Sequence, residues 1–493
     1  MCQIDNFHFN PKFIHMSEYT NNLSQKEPSQ ESNIAPELTA VLSPPEEGPE
    51  LTRISISQAI LKLAIPAFGS MVILMIFNLV DIWWVGKLGA DALAGMSAAA
   101  FLVWLLLAIA TLVEAGINSM VARFVGAGDP VTAGKVIGQG LILALFMAIV
   151  IGVVGIYTRT AVFELMGLSG MILHHAQNYI FYFLAGLFSY YLVFAVDASF
   201  RGTGDTKTPL KMITAGLTLN AVLDPFLIFG IGPFPRMEAG GAALATIIAH
   251  FLIFVWGVSI LQKRQVKIRI NRQLANMIDW NVLWRITKIG APLAFSGVMF
   301  SITYMLLTRV LTDFGAAPLA ALGLGHRIEG LAYFAAVGFS VAASTLVGQN
   351  LGAGKPDRAE RSAWLCILYI SVILVIVSLA FFFAGKWIIL FFINDPEVIR
   401  EGVAYLKIVA LFEVFLGFEI VLEGAFGGSG NSMPPMLVSV PITLARIPLA
   451  WYLAHYLDMG STGVWWAISS TTGLKGIVMA LWFRMGRWKK TKV

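Results

Sequence analysis

Runs of about 20 apolar residues recur along the whole of this 493-residue sequence, separated by Gly, Pro and charged residues. A helix of that length crosses a hydrocarbon core of ~30 Å, where a chain must satisfy its own backbone hydrogen bonds. Only 13% of the residues are charged, whereas a soluble domain has roughly 25%. The sequence therefore predicts an all-α polytopic membrane protein with the lipid bilayer as its surroundings.

Counting the apolar runs gives twelve transmembrane helices. The predicted spans are 57–86, 92–123, 132–158, 168–199, 208–231 and 239–262 in the first half, and 284–313, 317–348, 358–384, 399–426, 433–457 and 462–484 in the second. The first 52 residues are rich in Pro, Ser and Glu and have too little apolar surface to offset chain entropy. Residues 1–52 are therefore predicted to form a disordered cytoplasmic tail.

The placement of basic residues predicts which side of the membrane each connection faces. With the N-terminal tail inside, the even-numbered connections and the C-terminus carry eighteen Lys and Arg residues, and the odd-numbered connections carry five. Basic residues mark the cytoplasmic side. We expect a multi-pass protein of the cell (inner or plasma) membrane with both termini in the cytoplasm. The net charge of +5 follows this pattern, so no nucleic acid is expected as a partner.

Short motifs repeat between the two halves at a constant offset of 226 residues. The matched pairs are Pro66 and Pro292, LGADALA at 88 and FGAAPLA at 314, GAGD at 126 and GAGK at 352, and RGTG at 201 and GGSG at 427. Two six-helix units in one orientation follow, because six is an even number. Parallel repeats of this kind are a transporter architecture.

The repeat predicts two pseudo-symmetric six-helix bundles with a central cavity between them. The predicted parts are an N-terminal lobe at 53–262, a cytoplasmic linker at 263–281, a C-terminal lobe at 282–486 and a cytoplasmic tail at 487–493.

Ionisable residues within a membrane are costly, so each one is a functional hypothesis. Asp81 lies near the outer end of span 1, and Asn220 and Asp224 lie one turn apart on span 5. Their oxygens, with the Thr246 hydroxyl of span 6, are suitable ligands for Na⁺, and a buried carboxylate pair can equally hold a proton. We predict a cation-coupling site for H⁺ or Na⁺ at these four residues. Hydrogen bonding to the backbone near Pro225 is the alternative role for Asp224.

Pro66 lies fifteen residues before Asp81 in span 1. A proline inside a helix removes one backbone hydrogen bond and bends the helix. We predict that Pro66 is a helix-bending position, and a static kink is the alternative.

The second half does not repeat the acid pair, because Leu307 and Ala450 stand 226 residues after Asp81 and Asp224. Other charged residues lie in the predicted spans, and they are interpreted either as mutual ion pairs or as contacts to the substrate. Pairing is the plainer interpretation, since an unpaired charge in hydrocarbon is expensive. The residues of this predicted charge network are Glu114, Arg309, Glu413, Arg446 and Lys475.

Taken in order, these motifs resemble the multidrug and toxic compound extrusion (MATE) family, and more particularly its DinF-like prokaryotic branch. The resemblance covers residues 55–486 and rests on the two-lobe layout, the spacing from Pro66 to Asp81, and the motifs VGAGD, RGTGDTKTP, NAVLDP and GGAALAT. It implies that the amino-lobe cation site of the family corresponds to Asp81, Asn220, Asp224 and Thr246. The bending proline of the family corresponds to Pro66.

Two features of the family are not matched securely. A span 4 tyrosine of the cation site has four candidates here, namely Tyr179, Tyr182, Tyr190 and Tyr191. The branch with acidic residues in span 7 has no match, because residues 290–312 contain no Asp or Glu. That departure argues against a carboxy-lobe site of the same type.

The resemblance implies a secondary active antiporter that exports organic, cationic or amphipathic solutes in exchange for H⁺ or Na⁺ by alternating access. The alternatives are an exporter of organic anions on the same fold and a lipid-linked oligosaccharide flippase. The motifs H-E-x-x-H and G-x-S-x-G do not occur, so we expect no enzyme and no catalytic residues. We expect a small-molecule substrate, a coupling ion, no cofactor and a monomer.

Overall fold

A computed structural model describes residues 49–263 and 278–491. Within these ranges the chain forms fourteen α-helices, with short 3-10 or π turns at a few of their ends. The helices are α1 Ile56–Gly86, α2 Ala90–Gly126, α3 Pro130–Leu165, α4 Gly170–Ala185, α5 Leu187–Thr203, α6 Lys207–Phe229, α7 Ala239–Lys263, α8 Trp280–Thr312, α9 Ala316–Gly352, α10 Pro356–Phe392, α11 Pro396–Ala410, α12 Glu413–Ser429, α13 Met433–Trp451 and α14 Ser461–Arg484.

Fourteen helices make twelve spans, because two spans are each built from two helices. Nine of the described helices are long and apolar enough to cross a membrane, and the pair α4–α5, bent by 52° at Gly186, makes a tenth. The pair α11–α12 and the polar-rich α14 stand at the remaining two predicted spans. The predicted all-α fold is confirmed.

The two halves of the fold are related by the offset of the sequence repeat. Helices α4 and α5 begin at Gly170 and Leu187, and α11 and α12 begin 226 residues later. Asn118 of α2 and Ser344 of α9 are also 226 residues apart, and the Asn118 amide donates to the Ser344 hydroxyl at 2.8 Å. Equivalent residues that touch each other must lie at the symmetry axis, so this contact marks the pseudo-twofold axis between the lobes.

The lobes meet through helices that approach at backbone distance. A methyl group added at Gly126 of α2 would overlap the carbonyl oxygen of Gln349 on α9, and one added at Gly352 of α9 would overlap that of Arg123 on α2. Small residues let membrane helices pack this closely, which van der Waals attraction then stabilises. These two contacts are related by the repeat, so both lobes use the same device.

The apolar cores show at which end the lobes are joined. At the end where the described chain begins and finishes, Ile286 of α8 packs in the N-lobe core and Leu63 of α1 packs in the C-lobe core. At the opposite end, Val85 of α1 and Leu307 of α8 each pack in a cluster made of their own lobe. We call these the terminal end and the open end, because the cleft between the lobes widens away from the termini.

A polar contact also ties the lobes at the terminal end. Asp279 caps α8 through the backbone amides of Asn281 and Val282, and the Lys135 ammonium of α3 donates to its carboxylate at 2.5 Å. The hydrogen bond from Lys135 lowers the pKa of the Asp279 carboxyl. The tie is therefore present at neutral pH and is lost only when acid protonates that carboxylate.

Both described termini contribute to this end. Glu50–Thr52 forms one 3-10 turn in which Leu51 is buried in the C-lobe core, and Lys355 donates to the Thr52 carbonyl at 3.2 Å. Arg123 of the N-lobe donates to the Thr491 carbonyl. Residues 1–48, 264–277 and 492–493, which hold most of the predicted tail and linker, lie outside the described residues.

We predict that Gly352→Ala destabilises the protein by about 1–3 kcal/mol, because the added methyl group overfills the contact with Arg123. Gly323→Ala is the matched control, since Gly323 lies on the same helix and a methyl group there meets nothing within 4 Å. The apparent melting temperatures of the two purified variants measure the difference. Equal melting temperatures would contradict the close contact.

Candidate functional site

The structure brings the four predicted cation-coupling residues into one buried cluster, which we call the cation site. The Asn220 amide donates to the Asp224 carboxylate at 3.3 Å and to the Thr246 hydroxyl at 3.1 Å. The Thr246 hydroxyl lies 3.5 Å from the Asp81 carboxylate. Helices α1, α6 and α7 therefore each supply part of one polar network.

Three oxygens of the cation site have no hydrogen-bond donor. They are Oδ1 of Asp81, Oδ1 of Asn220 and Oδ2 of Asp224, and all three are buried. Buried oxygens are nearly always paired, and two neighbouring carboxylates in a region of low dielectric repel each other. A cation resolves both problems at once, either as Na⁺ held by these oxygens or as a proton on a carboxylate. The residues present therefore fit a coupling cation.

Aromatic side chains close the cation site on the side of α4 and α5. Tyr179 interacts electrostatically with both Asp81 and Asp224, and Tyr190 stacks on His250 with ring centroids 3.8 Å apart. Of the four tyrosines that the sequence left open, these two face the site.

The other two tyrosines have structural contacts. The Tyr191 hydroxyl donates to the Leu106 carbonyl at 2.8 Å, and Tyr182 packs against Gly240. Both therefore hold α4 and α5 against neighbouring helices.

Sequence reasoning missed His250, which extends the cluster by one turn along α7. Its Nδ1 lies 2.8 Å from the Thr246 carbonyl oxygen, and its ring is buried between Tyr190 and Phe77. The signal was present in the sequence, because a position four residues after Thr246 lies on the same helix face.

Pro66 lies in the middle of α1, on the terminal side of the cation site. Because proline has no amide hydrogen, the Lys62 carbonyl loses its helical donor, and the Thr206 hydroxyl of α6 donates to it at 3.4 Å instead. In the other lobe, the Ser432 hydroxyl donates to the Ile289 carbonyl close to Pro292. Each proline interruption is thus supported by a hydroxyl from a neighbouring helix, and the bending role of Pro66 stays a prediction.

Glu114 lies away from the cation site. Its carboxylate is 2.8 Å from the Arg201 guanidinium, which also pairs with Asp197 one turn earlier on α5. The Arg201 carbonyl accepts a hydrogen bond from Thr345 of the C-lobe at 3.0 Å. Glu114 therefore belongs to the contact between the lobes.

The C-lobe counterpart of the cation site keeps its geometry but has the opposite charge. Arg446 stands where Asn220 stands in the N-lobe, and it donates to Thr472 at 3.1 Å as Asn220 does to Thr246. Its other nitrogens donate to Thr471 at 2.8 Å and Tyr304 at 3.1 Å. A guanidinium fixed to the protein thus occupies the place of the exchangeable cation.

The remaining charged residues of the C half are scattered. Lys475 donates to Glu419 at 2.5 Å, Arg309 is exposed toward the open end of α8, and both carboxylate oxygens of Glu413 are buried without a donor. The structure therefore does not join the five residues of the predicted charge network into one cluster.

Comparison with known proteins identifies relatives over nearly the whole chain. The MatE family model matches residues 66–226 and 292–452, two copies with the offset of the sequence repeat. The probable multidrug resistance protein NorM of Thermotoga maritima is 29% identical over 91% of this chain and 96% of that protein. The FAD transporter of Shewanella oneidensis is 27% identical over 86% of this chain and 93% of that protein.

A solved structure shares the fold. It is the outward-facing conformation of a multidrug resistance MATE family transporter of the MOP superfamily, with a TM-score of 0.84 and 25% sequence identity. The match covers 90% of this chain and 99% of that one.

We predict that Thr246→Val lowers stability by about 1–3 kcal/mol, because it removes the acceptor of the buried Asn220 amide without changing side-chain volume. Thr246→Ser keeps the hydroxyl and should restore most of the loss. Thr308→Val is the control for a hydroxyl that is exposed and bonds only within its own helix. Thermal unfolding of the purified variants tests this, and a fully stable Thr246→Val variant would contradict it.

Proposed function

Because the chain belongs to the multidrug and toxic compound extrusion (MATE) family of membrane transporters, we propose that it is a secondary active antiporter that exports organic solutes in exchange for H⁺ or Na⁺. The observation that supports this most directly is the cation site, where three buried oxygens of Asp81, Asn220 and Asp224 lack a donor. A buried cluster that needs a cation to be stable is what a cation-coupled transporter requires.

The cycle that we infer starts from the conformation described above. With both termini in the cytoplasm, as the basic residues predict, the cleft opens to the outside. A cation from outside then enters the cation site and neutralises the repulsion between Asp81 and Asp224. The helices α1, α6 and α7 close around it, α1 moves about Pro66, and the substrate leaves the cleft.

The energy for export comes from the coupling ion. Ligands shift a conformational equilibrium only by their differential affinity for the two states, so the cation must bind the substrate-releasing state more tightly. One charge that moves down a potential of 100 mV supplies about 2.3 kcal/mol. That amount favours the product side roughly fifty-fold, and a concentration gradient of the ion adds to it.

Organic cations or amphipathic solutes are the favoured substrate class. The FAD transporter among the relatives makes organic anions the second candidate, with Arg446 and Lys475 as the basic residues available to them. Arg446 and Lys475 are only 1% and 2% exposed, and both donate to neighbouring side chains of the C-lobe. Buried and partnered cations are poorly placed to receive an anion from the cleft.

We predict that Asp224→Asn leaves the protein folded in the membrane but lowers ion-driven export at least tenfold, because one of the two charged ligands is lost. Asp357→Asn is the control, since its side chain is 86% exposed at the terminal end. Substrate flux in proteoliposomes under an imposed pH gradient, with and without Na⁺, measures the effect and identifies the ion. Full ion-driven export by Asp224→Asn would refute the proposed coupling site.

The same vesicles separate the two substrate classes. Flux is measured with an organic cation and with an organic anion under the same gradient. We expect transport of the cation, and transport of the anion alone would overturn the proposed substrate class.

A further inference from the structure

At the open end of the N-lobe, a cavity of about 360 Å³ lies above the cation site. It lies between the α1–α2 turn, the first turns of α4 and the segment before α7. Its wall includes Leu88, Asp91, His175, Arg236 and Glu238, and we call it the outer cavity. The mechanism proposed above makes no use of it.

The outer cavity contains a polar atom that lacks a partner. His175 is only 7% exposed, and its Nδ1 forms no hydrogen bond within the described residues. The Glu238 carboxylate is 3.6 Å from that nitrogen, which is too long for a hydrogen bond. Glu238 also lies 3.5 Å from Arg236, and Asp91 is exposed on the opposite wall. The two acids outnumber the one arginine, and the buried imidazole has a free position for water or a hydrated ion.

Three helices connect the outer cavity to the cation site. Leu88 lies seven residues beyond Asp81 at the end of α1, and Glu238 lies eight residues before Thr246 at the start of α7. At 1.5 Å per residue, these separations are about 10–12 Å along the helix axes. On α4, His175 lies one turn from Tyr179, which already faces the acid pair. The cavity is therefore directly outward of the cation site.

One apolar layer separates the two. Val85, Ile228 and Ala242 are completely buried and pack together, and each lies one helical turn outward of a residue of the cation site. These three residues, which we call the apolar layer, come from the same helices α1, α6 and α7 that carry the ligands. A movement of α1 relative to α6 and α7 would open the layer and rearrange the site together.

The C-lobe has a different structure at the same depth. The residue 226 positions after Glu238 is Val464, and beside it Trp465 is completely buried against Leu307 and Leu311. A bulky ring thus fills the end of the lobe whose inner site already holds Arg446. The cavity occurs in the lobe that has an exchangeable cation to admit.

We propose that the outer cavity is the entry site for the coupling cation, which binds there as a hydrated monovalent ion and passes the apolar layer to reach the cation site. This inference rests on the proposed function. The competing route leads sideways from the central cleft to Asp81, which is 8% exposed. The two routes differ in whether an obstruction of the outer cavity blocks the ion.

The test places a thiol on the wall of the cavity. Leu88→Cys is prepared in a Cys2→Ser background, where the only other cysteine, Cys366, is buried. Phe314→Cys is the matched control, because Phe314 stands at the equivalent position of the C-lobe, 226 residues later. A bulky, membrane-impermeant thiol reagent is added outside right-side-out vesicles, and its attachment is verified by the mass of the protein.

We expect the reagent to modify Leu88→Cys and to lower ion-driven export at least tenfold, with Na⁺ or with a pH gradient according to the ion that drives export. The modified Phe314→Cys variant should keep its export rate. If Leu88→Cys is not modified, or if its modified form exports as well as the unmodified one, the proposal is wrong. An equal loss in the modified control would also overturn it.

A second measurement uses charge alone. Asp91→Asn with Glu238→Gln should raise the external ion concentration for half-maximal export about threefold and leave the maximal rate unchanged, because two charges near the entrance no longer concentrate the ion. No change in that concentration would contradict the entry role. The Asp224→Asn variant distinguishes the two proposals, since its full activity would refute the coupling site, whereas its inactivity beside an insensitive Leu88→Cys would refute only the entry site.

Discussion

Two carboxylates that share a buried site, Asp81 and Asp224, set the terms for the N-lobe. Hydrocarbon and packed helices do not solvate charge, so the pair is stable only with a cation or a proton beside it. Asn220 and Thr246 hold the two groups in one network but leave three oxygens without a donor. The function proposed here uses that unsatisfied state, because binding of an ion and closure of the helices stabilise each other.

The repeat makes the difference between the lobes informative. Both halves have the same helix boundaries and the same hydrogen bond between spans 5 and 6, from Asn220 to Thr246 and from Arg446 to Thr472. The N-lobe pairs this scaffold with two acids, and the C-lobe pairs it with a guanidinium that cannot leave. One lobe can therefore exchange a cation at this position, while the other is fixed as if it were already occupied.

The joining of the lobes at one end gives this difference a mechanical consequence. Glycines at Gly126 and Gly352 bring α2 and α9 together at the terminal end, and the cores there mix residues of both lobes. At the open end the lobes pack separately, so a change in the N-lobe site meets little resistance from the C-lobe. The outer cavity lies in this freer half, directly above the site.

The sequence by itself determined the fold class, the repeat and the four residues of the cation site. Each follows from local rules, because apolar runs need a membrane, repeated motifs need repeated structure, and polar residues four apart share a helix face. Only the tertiary structure decided that Tyr179, Tyr190 and His250 complete the wall of the site and that Glu114 pairs with Arg201 instead. Those facts depend on how helices distant in sequence rotate against one another, which packing of the whole core decides and no spacing along the chain reveals.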